Sequence, residues 1–195
     1  MSGANEALFP LTLEQDAKAN EKCRKMLEKS AKDPHIKFMF QAMNRSGCTL
    51  SPEHFVCQTC PPEAEMCGGF DGNKALIRLC SNRITEMPQR FFNIALSHEL
   101  VHAYDHCRAE VNWSNVEHQA CSEIRACMLS RECYYKYQKK RKEPYGQGDL
   151  ESCIKPRTVK SLMYNGVTES EAIRATHKVF AHCVDDTAPF DRVPS

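Results

Sequence analysis

The segment SHELVHAYD, residues 97–105, decides how the rest of the chain is interpreted. Residues four apart on a helix lie one turn above each other, so His98 and His102 can present two imidazole nitrogens to one cation. Glu99 lies beside that face, where its carboxylate could take a proton from a zinc-bound water. Two imidazole ligands and an adjacent base are typical of a zinc metalloprotease, so the segment predicts Zn²⁺ as the cofactor and Glu99 as the catalytic residue.

The helix that carries this segment is predicted to span about residues 88–108. Pro88 suits its first turn, because proline lacks the N–H that would there be unsatisfied. Apolar side chains occupy both faces, which is typical of a helix buried between layers. They are Phe91, Ile94 and Ala95 beside the histidines, and Phe92, Leu96 and Leu100 on the other side. We therefore expect a dry pocket around the metal.

Catalytic zinc sites usually take three protein ligands, so a third has to be found. Asp105 and Arg108 stand where the metzincin pattern needs Gly and His, which excludes that class. Glu123 follows His102 by 21 residues, on a second helix predicted at about residues 115–136, as in the gluzincin arrangement. We favour Glu123 as the third ligand and expect Asp105, the competing ligand, to orient an imidazole from outside the metal site.

Other parts of the site are less well defined by the sequence. Small side chains such as Ala120 and Ala126 share the predicted face of Glu123, and would let the two helices approach closely. Tyr104, Tyr134 or a histidine elsewhere are candidates for stabilising the oxyanion of peptide hydrolysis. His106 and His118 are interpreted as surface or hydrogen-bonded core histidines rather than as ligands.

A strand predicted at Ala75–Cys80 precedes the site helix and pairs with a short piece near residues 54–56. With residues 68–71 before it, this strand could form the edge to which an extended substrate adds. An ordinary edge strand would account for the same pattern. Two short helices come earlier in the chain, and helices follow the site, so we expect an α+β fold, mainly helical, with a small sheet before the active-site helix.

Length and composition indicate one domain. The chain has 195 residues, 42% of them hydrophobic, and a net charge of +1 with both signs interspersed, so nothing predicts a nucleic-acid partner. We expect a disordered N-terminus over residues 1–11 and a single metalloprotease domain over residues 12–195. No apolar run reaches the ~18 residues of a membrane span, and the first 15 residues lack Lys and Arg. The expectation is neither a secretory signal nor a cleavable transit peptide.

Twelve cysteines are many for a reduced enzyme of this size. One interpretation is a structural zinc site built on Cys57 and Cys60, with partners among Cys48, Cys67 and Cys80. Disulfides are favoured, because the remaining cysteines also need an explanation. That preference implies an oxidising compartment, reached without a signal peptide.

The pattern as a whole resembles the family of mitochondrial inner-membrane metalloproteases that mature an ATP synthase subunit. The resemblance covers about residues 20–193 and includes the zinc motif with its flanking segments and nine cysteine positions. The segments are Gly68–Asp71, Leu79–Cys80, Ser97–Cys107 and Ala120–Ala126, and the cysteines are Cys48, Cys57, Cys60, Cys80, Cys107, Cys121, Cys133, Cys153 and Cys183.

This resemblance implies a protein of the intermembrane space, peripheral on the inner membrane and oxidised by the disulfide relay. Its protein substrate would be the precursor of a mitochondrially encoded subunit of the ATP synthase membrane sector, whose assembly it would also assist. The alternatives are a non-proteolytic assembly chaperone, or a cytosolic or nuclear zinc-binding protein using Cys57 and Cys60. Cys67 and Cys127 look additional to the family pattern and are expected to pair with each other.

A basic run over Lys136–Lys142 bears on the membrane partner. It could contact anionic lipid of the inner membrane, or it could be a solvated linker, which we favour slightly. Contact with the membrane would otherwise depend on a membrane-bound partner.

Overall fold

The computed structural model describes residues 13–61, 64, 66–134 and 150–194. The predicted disorder of residues 1–11 and the basic run over Lys136–Lys142 lie outside these described residues. The predicted fold class is confirmed, since helices predominate and a small sheet precedes the helix with the HExxH segment. The helices are α1 (Leu13–Ser30), α2 (Pro34–Arg45), α3 (Ser81–Ile84), α4 (Gln89–Arg108), α5 (Val116–Leu129), α6 (Leu150–Tyr164) and α7 (Glu169–Asp185), and the strands are β1 (Phe55–Gln58), β2 (Gly68–Asp71) and β3 (Leu76–Cys80).

The sheet has the strand order β1-β3-β2, with β1 parallel and β2 antiparallel to β3. β3 is therefore the central strand, and the prediction that it offers a free edge is wrong. Ile77 and Leu79 alternate along β3 and are fully buried, as expected for one face of a strand against a core. Among the described strands, the free edge next to the site helix belongs to β2, which begins with two glycines and gave no local strand signal.

Helix α4 begins directly after Pro88, close to the predicted start, and its burial on both sides is confirmed. Phe92, Leu96 and Leu100 are fully buried in the main hydrophobic core, to which α1, α2, β3 and α5 also contribute. On the other side of α4, His102 and Asp105 are buried as well. The helix can therefore hold polar groups in a poorly solvated environment.

Helix α5 lies between two apolar clusters. Its Ala126 belongs to the main core, whereas Ala120 packs with α6 and α7 against Leu162 and Ala172. The expectation that Ala120 would let α5 approach α4 is thus wrong. Asn115 caps the helix by accepting a hydrogen bond from the backbone N–H of Glu117.

Two helix boundaries differ from the sequence prediction. α5 ends at Leu129 rather than near residue 136, because Arg131 has a positive φ of 68°, a left-handed conformation that terminates helices. The sequence predicts a short helix from Pro156 to Tyr164, whereas α6 begins earlier, at Leu150. Pro156 lies inside α6, although a proline in a sequence normally marks the first turn of a helix or a break in it.

Five disulfides connect the elements, which confirms the prediction of a disulfide-stapled fold. They are Cys23–Cys57, Cys48–Cys107, Cys60–Cys80, Cys121–Cys183 and Cys133–Cys153. Because Cys57 and Cys60 both belong to disulfides, the zinc site built on these two residues is wrong. The expected bond between Cys67 and Cys127 is also wrong, since neither residue takes part in a disulfide.

Removal of the disulfide between α5 and α7 should destabilise the protein strongly. Cys121 and Cys183 are 62 residues apart, and the loop-closure entropy of such a cross-link corresponds to roughly 4 kcal/mol. The double substitution Cys121→Ser, Cys183→Ser should lower the free energy of unfolding in urea by about that amount. The comparison is the double substitution Cys60→Ser, Cys80→Ser, which removes a cross-link between residues 20 apart. It should lower the free energy of unfolding by about 3 kcal/mol. An unchanged urea midpoint in the first variant would contradict this account.

Candidate metal centre

Three side chains from two helices meet at one point beside α4. His98 and His102 lie one turn apart on α4, and Glu123 comes from α5. Glu123 Oε2 lies 3.3 Å from His98 Nε2, and Glu123 Oε1 lies 3.5 Å from His102 Nε2. Ligand atoms of the three residues all fall within 4.8 Å of one another. The structure thus brings together the three residues predicted as ligands.

The two distances from the imidazoles to Glu123, which end on its two different oxygens, are of the size found between two ligands of one small metal ion. Bonds of about 2.0–2.2 Å in tetrahedral geometry separate neighbouring ligand atoms by roughly 3.3–3.6 Å. Ser161 donates a hydrogen bond of 2.6 Å to Glu123 Oε1, whereas Glu123 Oε2 is buried and has no hydrogen-bond partner among the described residues. A buried carboxylate oxygen without a donor is costly unless a cation satisfies it.

His98 turns its other nitrogen towards a second carboxylate. The Nδ1 atom lies 3.1 Å from Glu132 Oε2, and Arg157 of α6 donates to Glu132 Oε1 at 2.5 Å. A carboxylate on Nδ1 selects the tautomer that leaves Nε2 free to bind a metal, and it makes that nitrogen more basic. Sequence analysis missed Glu132 and Arg157, because Glu132 follows the end of α5 and shares no periodic pattern with the metal face.

His102 is held by a different chain of groups. Its Nδ1 lies 2.8 Å from Ser122 Oγ, and Ser122 donates to Asp105 Oδ2 at 3.0 Å. Asp105 is therefore placed outside the metal cluster, as preferred from the sequence, but it acts on the imidazole through Ser122. Ser122 was missed, although it directly precedes Glu123 on α5.

Arg125 completes this chain and is almost fully buried, with a side-chain exposure of 1%. It donates from Nε to Asp105 Oδ1 at 3.0 Å, and also to the backbone carbonyls of Asp186 and Ala188. Arg108 donates to the same Asp105 oxygen at 3.2 Å. A buried guanidinium is tolerated only when its donors are satisfied. The bonds of Arg125 to Asp105 and to the two carbonyls therefore fix α4, α5 and the segment after α7 relative to one another.

Glu99 is buried behind β2, with a relative exposure of 7%. The backbone of Gly68 packs against it so closely that a Cβ on Gly68 would lie 3.3 Å from Glu99 Oε1. The absence of a side chain at Gly68 thus leaves room for the Glu99 carboxylate. The edge strand and the predicted catalytic residue are consequently in direct contact.

The two buried carboxylates of the site have opposite pKa shifts. Burial raises the pKa of Glu99 to about 7. Burial also opposes ionisation of Glu123, but the neighbouring imidazoles of His102 and His98 lower the pKa of Glu123 to about 2. Such a separation of pKa values gives two carboxylates different roles. Glu123 is suited to remain an anion, and Glu99 is suited to take up and release a proton.

The remaining sequence candidates are not members of the metal cluster. Tyr104 is buried in the main core with Arg108 over its ring, and Tyr134 is exposed. His106 accepts a hydrogen bond from Trp113, and His118 accepts one from the backbone of Asn112. These contacts agree with the interpretation of the two histidines as hydrogen-bonded residues. Among the described residues, one further group has metal-ligand spacing, namely His98 with Cys127 and Glu132.

Comparison with known proteins identifies the family of this chain. Residues 21–191 match the Peptidase M76 family. The chain belongs to this family. Peptidase M76 members are metallopeptidases, so the chain is an enzyme of that class and its family implies a metal. His98, His102 and Glu123 form one of the two groups of described residues that have metal-ligand spacing.

Curated relatives of this Peptidase M76 chain are similar over most of its length. The mitochondrial inner membrane protease ATP23 homolog of Xenopus laevis is 39% identical over 180 residues, which cover 90% of this chain and 74% of the relative. The human homolog of the same name is 36% identical over 90% of this chain and 72% of its own length. The protease ATP23 of Lodderomyces elongisporus is 38% identical over 84% of this chain. No solved structure matches the chain.

The contact between β2 and Glu99 can be tested with Gly68→Ala. The added Cβ would lie 2.8 Å from the backbone oxygen of Arg78 as well as against Glu99, so the strand or the carboxylate must move. We expect a loss of about 1–3 kcal/mol in the free energy of unfolding, measured in urea. Gly69→Ala is the matched control, since a Cβ there meets nothing within 4 Å and should change stability by less than about 0.5 kcal/mol. Equal effects of the two substitutions would rule out this close packing.

Proposed function

We propose that the protein is a zinc metalloendopeptidase in which His98, His102 and Glu123 bind Zn²⁺. The observation that carries the proposal is the convergence of two imidazole Nε2 atoms and one carboxylate, whose ligand atoms all lie within 4.8 Å of one another. Membership of a metallopeptidase family favours Zn²⁺ over other metals that accept two histidines and a carboxylate. Three protein ligands leave one position open, as catalytic zinc requires.

Glu99 acts as the general base and then as the general acid. When bound, zinc supplies Lewis acidity, which polarises the scissile carbonyl and lowers the pKa of the attacking water. Glu99 takes the proton of that water and returns it to the leaving amine. A pKa near 7 suits both steps, because the carboxylate can accept and release a proton at neutral pH.

The edge of β2 provides a place for an extended substrate. β2 pairs only with β3 among the described strands, so its other edge can accept the backbone hydrogen bonds of an added strand. Gly68 of this strand contacts Glu99, so a peptide bound along the edge passes beside the proposed catalytic residue. This assignment replaces the edge first expected at β3.

We propose a mitochondrial location, on the intermembrane-space side of the inner membrane. The relatives carry the words mitochondrial inner membrane protease in their names, and five disulfides suit an oxidising compartment. None of the helices in the described part of the chain is long and apolar enough to cross a membrane. Association with the inner-membrane surface, or with a membrane-bound partner, belongs to the same proposal.

The proposed substrate is the precursor of a mitochondrially encoded subunit of the ATP synthase membrane sector. This step rests on the resemblance of the zinc motif and the cysteine positions set out above. Assistance in the assembly of that sector is proposed as a second role, which does not use the hydrolytic chemistry. A purely non-proteolytic chaperone is disfavoured, because the proposed base Glu99 is present and the three proposed ligands have metal-ligand spacing.

Glu99→Gln separates the chemistry from folding and from assembly. The amide cannot take the proton of the attacking water, so kcat for cleavage of the subunit precursor should fall at least about 100-fold. Zinc content measured by mass spectrometry should remain at one per chain. In cells, assembly of the membrane sector should continue with uncleaved precursor. Retained cleavage would overturn the role of Glu99, and lost assembly would overturn the separation of the two roles.

Substitutions around the imidazoles distinguish ligands from supporting groups. Glu123→Ala should abolish stoichiometric zinc binding, whereas Ser122→Ala should weaken the affinity for zinc about 10- to 100-fold, because it removes only the outer partner of His102. Competition with a chelator measures both effects. Glu117→Ala on the same helix α5, which removes a surface ion pair with Lys178 of α7, is the control and should bind zinc normally. Full zinc binding by Glu123→Ala would disprove the third ligand.

A further inference from the structure

Trp113 is the one tryptophan of the chain and lies at the side of the metal cluster. It belongs to the connection between α4 and α5. Its ring centroid is 6.1 Å from that of His102, with the two planes nearly perpendicular at 83°. On the other side it lies 5.6 Å from the ring of Phe70 on β2. The indole thus spans the gap between a proposed zinc ligand and the edge strand.

The position of the indole is well determined by its neighbours. Its Nε1–H donates to His106 Nδ1 at 3.2 Å, and its backbone carbonyl accepts from Gln119 Nε2 at 2.6 Å. The turn after β2 packs against the ring so closely that a Cβ on Gly72 would lie 2.3 Å from Trp113 Nε1. Since its polar N–H is already satisfied, the partly buried ring offers apolar surface alone.

This aromatic surface continues the edge at which the substrate is proposed to bind. Gly68 and Phe70 are two residues apart and therefore face the same side of β2. Gly68 contacts Glu99, and Phe70 lies 5.5 Å from the ring of His106. Phe70, His106 and Trp113 are all only partly buried. An extended peptide along β2 would therefore bring a side chain against these three rings about 7 Å from the reacting bond.

We propose that Trp113, with Phe70 and His106, forms a substrate subsite that takes an apolar side chain one or two positions from the scissile bond. The subsite rests on the proposed endopeptidase function and adds a specificity determinant to it. Trp113 is a specificity residue, not a catalytic one, because its N–H is bound to His106 and its ring offers contact area alone. The chemical class of the preferred substrate is an extended peptide with an aliphatic or aromatic residue at that position.

Cleavage of internally quenched peptides that differ at single positions on each side of the scissile bond tests the subsite. Zinc-loaded wild type should prefer Leu or Phe over Ser at one such position by at least about tenfold in kcat/KM. Trp113→Ala should abolish this preference while keeping one zinc per chain, and Trp113→Phe should keep most of it. Tyr164→Ala, an exposed aromatic of α6, is the control and should retain the full preference. A uniform fall of kcat/KM for all peptides in Trp113→Ala would show a structural role and overturn the proposal.

Fluorescence of the single tryptophan gives a second test that needs no variant at position 113. In zinc-loaded Glu99→Gln protein, titration with an unlabelled peptide of the Leu sequence should shift the Trp113 emission to shorter wavelength and saturate. The Ser peptide should shift it at least about tenfold more weakly at equal concentration. An unchanged emission while the Leu peptide competitively inhibits wild type would exclude the subsite. Failure of zinc-loaded wild type to cleave any peptide would instead count against the endopeptidase, and the titration would still decide the subsite.

Discussion

The carboxylate of Glu123, buried between two imidazoles of α4, is the constraint on which the rest of the structure depends. A buried anion is costly unless it is paired. Helix α5 must therefore pack against α4 so that the Glu123 carboxylate stays within hydrogen-bond distance of the two imidazoles. Ala126 and Cys127, both buried in the main core, are small enough to permit that approach. The imidazoles in turn lower the pKa of Glu123 to about 2, which keeps the carboxylate charged where a cation would bind.

The two imidazoles are supported in different ways, and each support ties another part of the chain to the site. His98 faces the charged pair of Glu132 and Arg157, which brings in α6. His102 faces the hydroxyl of Ser122, behind which Asp105 and Arg125 connect to the segment after α7. Both of these hydrogen-bond networks end on a buried or partly buried arginine, so polar contacts as well as apolar packing orient the two imidazoles.

Disulfides reinforce the same connections. Cys133 directly follows Glu132, and its bond to Cys153 joins that residue to α6, which carries Arg157. Cys121 is next to Ser122, and its bond to Cys183 joins α5 to the end of α7. Two cross-links thus lie one residue from the outer partners of the two imidazoles. Both cross-links restrict the separation of α5 from α6 and α7. They lie outside the metal cluster and therefore do not occupy the positions of the proposed ligands.

The sequence alone predicted the features that depend on helical periodicity. The spacing of His98 and His102, the burial of α4 on both sides and the placement of Glu123 on the following helix all follow from helical periodicity. The choice of disulfides over a zinc ribbon followed from the number of cysteines. Tertiary structure alone decided the strand at Gly68–Asp71, the pairing of the cysteines, and the roles of Ser122, Glu132 and Arg125. These depend on contacts between residues distant in the chain, which leave no local pattern: β2 is a strand because β3 pairs with it, and Glu132 is part of the site because the chain turns at Arg131.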